Sequence, residues 1–250
     1  MDSLTFIIPT YNDEATIETV IENTLYVGRH LRLPFNILVV DDASRDRTGN
    51  ILKKLHRHHT ELKIITHTKN AGYGKTIKEL YEKAKNTWLF SLPGDYQIEP
   101  AELHKLWPYR READMIIGRR ISRADNRTRR RQSGIYNRLL RTLYGLKVHD
   151  VNSVRLMKTS ILKSFQLRTS SAFVDAELAI SAARAGFQVT EIPIKHRARA
   201  GVGASGGKLT VMLPTIIDMI KFRLSFLFLI SNADFISSGK PEKDLGDRFP

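Results

Sequence analysis

Five short apolar runs, each followed by residues at helical spacing, constrain this chain more than any other feature. They occupy residues 4–8, 35–40, 62–65, 88–92 and 113–117. Runs of that length, rich in β-branched and aromatic side chains, read as buried strands. Between them, Ile17, Val20, Ile21 and Leu25 fall on one helical face, as do Ile51, Leu52 and Leu55, and then Ile77, Leu80, Tyr81 and Ala84. Asn12 and Asp46 are expected to cap the first two helices, with Asp13 and Glu14 opening the first. Pro100 suits a first helical turn ahead of Leu103, Leu106 and Trp107. Pro9 is expected to stop the first strand and Gly118 to close the fifth. Strand–helix units in series predict an α/β fold: a mostly parallel sheet with helices on both faces.

The pattern loosens after residue 118. Residues 119–131 are basic, lack apolar periodicity and read as a loop. Residues 135–146 and 176–185 read as helices, and 154–157 and 187–194 as strands. Residues 200–207 form a Gly/Ala/Ser-rich flexible loop, and 208–230 a long amphipathic helix whose end is very apolar. The tail, residues 231–250, is polar and expected to be disordered.

Lysine and arginine number 40 against 26 acidic residues, a net charge of +14. That surplus points to a polyanionic partner: nucleic acid, an anionic membrane surface or a phosphorylated substrate. The basic segment lacks the interleaved aromatic platforms of single-strand binders, so nucleic acid is not expected. The absence of cysteine excludes disulfides, thiol catalysis and thiolate metal sites. The first residues run straight into a strand without a signal-peptide pattern. No apolar run reaches the roughly 18 residues of a spanning helix. Residues 222–230 are too short to cross a bilayer; they either bury against the domain or lie in a membrane interface beside Lys221 and Arg223.

Four polar clusters sit at the carboxyl ends of the expected strands: Pro9-Thr10-Tyr11-Asn12-Asp13, Asp41-Asp42-Ala43-Ser44, Asn70-Ala71-Gly72-Tyr73-Gly74 and Pro93-Gly94-Asp95-Tyr96-Gln97. In an open α/β sheet that edge is where ligands bind. The chemistry suits a nucleotide: an aromatic ring for a base, carboxylates for base or ribose donors, and Asp95 with Gln97 as oxygen ligands for a hard cation. Gly72-Tyr73-Gly74-Lys75-Thr76 imitates the end of a P-loop, but Lys69 stands where its first glycine is required.

Through these clusters the chain resembles the family-2 glycosyltransferases of the GT-A fold. More narrowly it resembles the polyprenyl-phosphate sugar synthases of the dolichyl-phosphate mannose synthase type. The segments that carry the resemblance are residues 8–13, 39–48, 70–74, 94–97 and 117–120, then Glu191-Ile192-Pro193-Ile194 and Arg197-Ala198-Arg199 followed by Gly201 and Ser205. The resemblance implies one domain over residues 1–230, with a nucleotide-binding half at 1–118 and an acceptor-binding half at 119–230. It implies that Pro9, Tyr11, Asp13 and Asp42 hold base and ribose, and that Asn70, Gly72, Gly94 and Asp95 line the donor site. Asp95 and Gln97 would ligate Mg²⁺ or Mn²⁺, although Pro93 stands where the family usually has the first aspartate of Asp-x-Asp. Arg120 and Arg131 would clamp phosphate, and Arg197, Arg199 and Lys208, around the Gly-rich loop, would close over donor diphosphate and acceptor phosphate. Asp150, Asp175 and Glu177 are candidate bases should the acceptor be a hydroxyl; Asp175 and Glu177 equally suit a helix N-terminus. The implied partners are a nucleotide sugar, a polyprenyl-phosphate lipid and the cytoplasmic face of a membrane, to which the protein binds peripherally, with a membrane-protein partner or self-association also compatible. The rival readings are a transferase acting on a saccharide hydroxyl and a non-catalytic nucleotide-sugar or membrane-binding protein.

Overall fold

The computed structural model describes residues 1–121, 127–198 and 209–237. Its centre is a seven-stranded sheet of β1 Leu4–Thr10, β2 Phe35–Asp41, β3 Leu62–Thr66, β4 Trp88–Ser91, β5 Met115–Ile121, β6 Arg155–Lys158 and β7 Val189–Lys195, in the order β3-β2-β1-β4-β6-β5-β7. Strand β6 runs antiparallel to both of its neighbours, and the remaining pairings are parallel.

The strands are apolar on both faces because both faces are covered. Leu4, Phe6, Ile8, Ile37, Val39 and Phe90 point into one core with helices α1 Ile17–His30 and α2 Thr48–His58. Ile7, Leu38, Val40, Leu89, Ile117 and Met157 point into the other. There they meet α3 Tyr73–Lys83, α5 Arg127–Tyr144, α6 Val174–Arg184 and α7 Leu209–Ser237. Each fully buried Leu, Ile or Phe stabilises the fold by roughly 1.5–3 kcal/mol. The expected helix after Pro100 is broken: α4 Leu103–Leu106 lies between 3₁₀ turns at Pro100–Glu102 and Trp107–Arg111.

Several local expectations are corrected by pairing partners distant in sequence. Pro9 does not stop β1, which runs on to Thr10. Ladder contacts to β4 end at Ile7, whose carbonyl accepts from Leu92 N, so Pro9 lacks its N–H on the side where no strand follows. Gly118 does not close β5, because β7 pairs with that strand from Met115 as far as Ile121. The basic segment expected as a loop is strand up to Ile121 and helix from Arg127. Asn12 caps nothing in α1, which starts at Ile17; its side chain accepts instead from Arg45 N at 2.8 Å. Asp46 is not the N-cap of α2, a position held by Arg47; from one residue earlier it accepts from Thr48 N and from Glu14 N.

Helix α7 continues to Ser237, into the stretch expected as tail. Phe222 does not face outward. Its ring packs 5.8 Å from Tyr144 and 5.6 Å from Phe173. Among the described side chains of α7, the exposed apolar ones are Leu213, Ile216, Ile217, Ile220 and Leu224. Among the described residues no helix is long and apolar enough to cross a membrane.

Candidate functional site

The strand order reverses between β1 and β4: the chain leaves β1 toward β2 and β3, then returns to β4 on the other side. A crevice opens at the carboxyl edge at such a point. The four polar clusters surround it, and hydrogen bonds lock them together. Thr10 Oγ1 donates to Asp13 Oδ2 at 2.9 Å, and Asp13 N donates to Thr48 Oγ1 at 2.9 Å. Thr16 Oγ1 donates to the Gly94 carbonyl at 2.7 Å, tying the turn after β4 to the start of α1. Asn12, Ala43 and Tyr96 have φ of 54°, 59° and 55°, so left-handed backbone strain gathers in three of these turns.

Gly94 is where the turns after β1 and β4 touch. A Cβ there would lie 2.7 Å from Asp13 Oδ2 and 2.9 Å from Thr10 Oγ1. Gly94→Ala must therefore push the turns apart. Misplacement of reacting groups by a fraction of an ångström is expected to reduce kcat/KM about tenfold or more, with only a small change in melting temperature. Steady-state kinetics beside a thermal melt checks this.

Asp42, Asn70 and Gly72, all expected at the donor site, are brought into contact. Asp42 is buried; its Oδ1 accepts from Ala71 N at 2.7 Å and its Oδ2 from Gly72 N at 2.9 Å. Asn70 Nδ2 donates to the Asp42 carbonyl at 3.1 Å. The carboxylate thus holds the turn that forms one wall of the crevice. Tyr11 is 40% exposed at the rim, which leaves ring surface for a base, and Pro9 is half-buried beside it.

His67 belongs to this wall and was missed in the sequence, where a single histidine after a strand carries no signal. Its Nδ1 lies 2.7 Å from Asp42 Oδ1 and its Nε2 2.8 Å from Glu79 Oε2. Burial disfavours the imidazolium, but the two carboxylates outweigh it and raise the His67 pKa above 6.5. A raised histidine pKa adds stability that is fully present below the unfolded value of about 6.5 and is lost as pH rises through the higher folded value. Denaturant melts across that window should show stability falling with pH, and His67→Gln should flatten that part of the profile.

In the turn after β4, Asp95 Oδ1 accepts from Gln97 N at 3.1 Å, and the Gln97 side chain is buried. Arg197 reaches the same turn. Its N–H donates to the Gln97 carbonyl at 2.8 Å, and its guanidinium sits 5.4 Å from the Tyr96 ring centre and pairs with Glu99. Arg199 and Lys208 lie outside the described residues. Among the described residues no three His, Asp or Glu side chains converge as a cation cage. One carboxylate and one carboxamide instead suit a cation that arrives with substrate phosphates and keeps its own water.

The acceptor half is arranged differently from expectation. Arg120 and Asp150 face each other, with Nε–Oδ2 at 2.8 Å and Nη2–Oδ1 at 2.6 Å, and both are largely buried. Arg131 lies exposed in the first turns of α5, near Arg127 and Arg130. Asp175 and Glu177 both lie in the first turn of α6, as expected for acids at a helix N-terminus, but neither makes a side-chain cap there. Asp175 is buried against Arg155 at 3.0 Å and accepts from the Tyr73 and Tyr81 hydroxyls at 2.7 and 3.1 Å. Glu177 is also buried; Oε1 accepts from Arg168 N at 2.7 Å, and Oε2 from Thr169 N at 2.9 Å and Thr169 Oγ1 at 2.5 Å. All three candidate bases are thus engaged by protein donors.

This geometry agrees with comparisons to known proteins. The undecaprenyl-phosphate 4-deoxy-4-formamido-L-arabinose transferase of Pseudomonas paraeruginosa is 28% identical over 224 residues, 88% of this chain and 65% of the relative. The dodecaprenyl-phosphate galacturonate synthase of Rhizobium johnstonii is 26% identical over 87% of this chain and 65% of its own. The chain therefore spans 65% of the length of these two relatives. Among solved structures, glucosyl-3-phosphoglycerate synthase from Mycobacterium tuberculosis, in complex with Mn²⁺ and uridine-diphosphate-glucose, superposes with a TM-score of 0.69 at 17% identity, covering 89% of this chain and 79% of that one. That likeness shows a shared GT-A fold. The family model for glycosyl transferase family 2 matches residues 5–165, the span that holds all four clusters and the crevice between them, and the chain belongs to that family.

Proposed function

We propose that this chain moves a sugar from a nucleotide-diphosphate donor to a polyprenyl phosphate, by direct displacement with inversion at the anomeric carbon. The relatives named above support the acceptor class. The structural observation that carries the choice is the state of Asp150, Asp175 and Glu177, each held by an arginine, tyrosines or backbone amides. A hydroxyl acceptor requires a general base within reach of its proton. A phosphate acceptor is already ionised at neutral pH and requires placement instead.

In this reading Pro9, Tyr11, Asp13 and Asp42 seat the base and ribose, and Asn70, Gly72 and Gly94 shape the wall along the diphosphate. Asp95 and Gln97 would hold Mg²⁺ or Mn²⁺, which when bound supplies charge neutralisation for the departing diphosphate. Arg197, which reaches the same turn, adds positive charge beside that diphosphate, and Arg199 and Lys208 are assigned to the same task from the sequence. The exposed Arg131 faces the acceptor phosphate, and Arg120, held by Asp150, adds its charge from behind. The apolar stripe of α7 rests on a membrane surface and the arginines of α5 meet anionic headgroups, so that the protein is peripheral on the cytoplasmic face and reaches its lipid there.

The test is transfer of radiolabelled sugar from candidate nucleotide-sugar donors, with Mn²⁺ or Mg²⁺, in the presence of polyprenyl phosphate. Label partitioning into the organic phase is expected; label found only on soluble glycan overturns the proposal. Reversing charge at Arg130 and Arg131 is expected to raise the KM for lipid about tenfold and to leave the donor KM near its original value. Equal changes in both constants would remove these arginines from the acceptor side.

A further inference from the structure

Arg155 is the largest fully buried side chain in the described structure. It opens β6, and because β6 runs antiparallel its first residue stands beside the end of β4, where Arg155 N donates to Ser91 Oγ at 3.0 Å. Its guanidinium donates to the carbonyls of Val151, Ser153 and Asp175 at 3.1, 3.2 and 3.3 Å and pairs with Asp175 Oδ1. Asp175 in turn receives the hydroxyls of Tyr73 and Tyr81. Burial first, and the neighbouring carboxylate next for Tyr73, hold both phenols well above their ordinary pKa, so they remain donors.

Tyr81 lies wholly in the core; Tyr73 sends its hydroxyl inward to the buried Asp175 while the residue as a whole stays 45% exposed, and it directly follows Gly72, whose amide is held by Asp42. The same turn is braced a second time from α6. Glu177 holds the amides of Arg168 and Thr169, and the next two carbonyls, of Ser170 and Ser171, would lie 2.2 and 2.4 Å from a Cβ on Gly74. Only glycine lets that loop close on the first turn of α3. Both acids at the start of α6 are therefore directed at one object, the turn from Asn70 to Gly74.

We propose that Asp175, with Arg155 behind it, is a positioning residue of the donor site: it anchors Tyr73, and through Tyr73 holds the wall that Asp42 grips from the other side. This rests on the reading of the crevice as a nucleotide-sugar site. Asp175 touches neither donor nor acceptor; it acts through the Tyr73 hydroxyl.

Two single-atom deletions separate positioning from bulk stability. Tyr73→Phe and Tyr81→Phe each remove one hydroxyl from Asp175, so a merely structural carboxylate responds to both alike. The first readout is amide hydrogen exchange of a peptide spanning residues 69–75, measured on the full chain without ligand. Tyr73→Phe is expected to accelerate exchange there about fivefold and Tyr81→Phe to leave it unchanged. The second readout is calorimetric binding of UDP and of GDP, each with Mn²⁺, which should weaken by about the same factor in Tyr73→Phe alone. Equal acceleration in both variants, or none in either, overturns the proposal. Failure of both nucleotides to bind the unaltered protein counts instead against the donor-site reading, and the exchange data still decide whether Asp175 holds the turn.

Discussion

Asp95→Ala is expected to lower kcat by about 10²–10³, with the fold intact, which is the usual loss when a preorganised electrostatic contact to the leaving charge is removed. Asp95 is half-buried in the turn after β4, and its Oδ1 accepts from Gln97 N. Alanine removes both the charge and that turn bond. Asp95→Asn separates the two effects, because an amide oxygen can still accept from Gln97 N while the negative charge is gone. If charge toward a diphosphate-bound cation is what matters, the asparagine variant falls nearly as far as alanine, and adding Mn²⁺ restores little. If asparagine keeps most of the activity, Asp95 serves only to shape the turn. The absence of a second carboxylate in the turn, where Pro93 stands, makes the dependence on Asp95 steeper.

Arg155→Met is expected to produce the largest loss of stability. The substitution leaves the Asp175 carboxylate, 2% exposed, with two phenols and no opposite charge. Breaking a buried ion pair from one side costs about 3–5 kcal/mol. For a chain of this size that corresponds to a fall in melting temperature of roughly 6–20 °C. The double variant Arg155→Met with Asp175→Leu should recover much of the loss, since removing both charges ends the desolvation penalty. Thermal and denaturant melts of the two variants give the comparison. A single variant as stable as the original protein would mean that the pair contributes no more than a surface contact.

Much of the architecture is readable locally. The strands and helices that build the crevice follow from short apolar runs and helical spacing, because each must bury apolar surface with its own period. The four clusters at the strand ends were legible for the same reason: polar residues that stop a buried run fall where the sheet ends. Local punctuation failed at Pro9 and Gly118. Whether a proline or glycine ends a strand depends on what lies beside it, and β4 stops short of Pro9 while β7 accompanies β5 past Gly118.

The carboxylates show the sharper limit. Asp175 and Glu177 look in sequence like helix-opening residues or bases beside an acceptor. The decisive partners are remote: Tyr73 stands 102 residues from Asp175, and Arg120 stands 30 from Asp150. His67, placed between Asp42 and Glu79, carried no sequence signal for the same reason. By itself the sequence determined the secondary elements, the two-faced sheet and the identity of the residues at its carboxyl edge, because backbone periodicity and side-chain polarity act over a few residues. The tertiary structure alone decided which of those charges meet each other and which face the crevice. A carboxylate is a base, a ligand or a brace according to what surrounds it, and what surrounds Asp175 was settled when β6 entered the sheet in reverse beside β4.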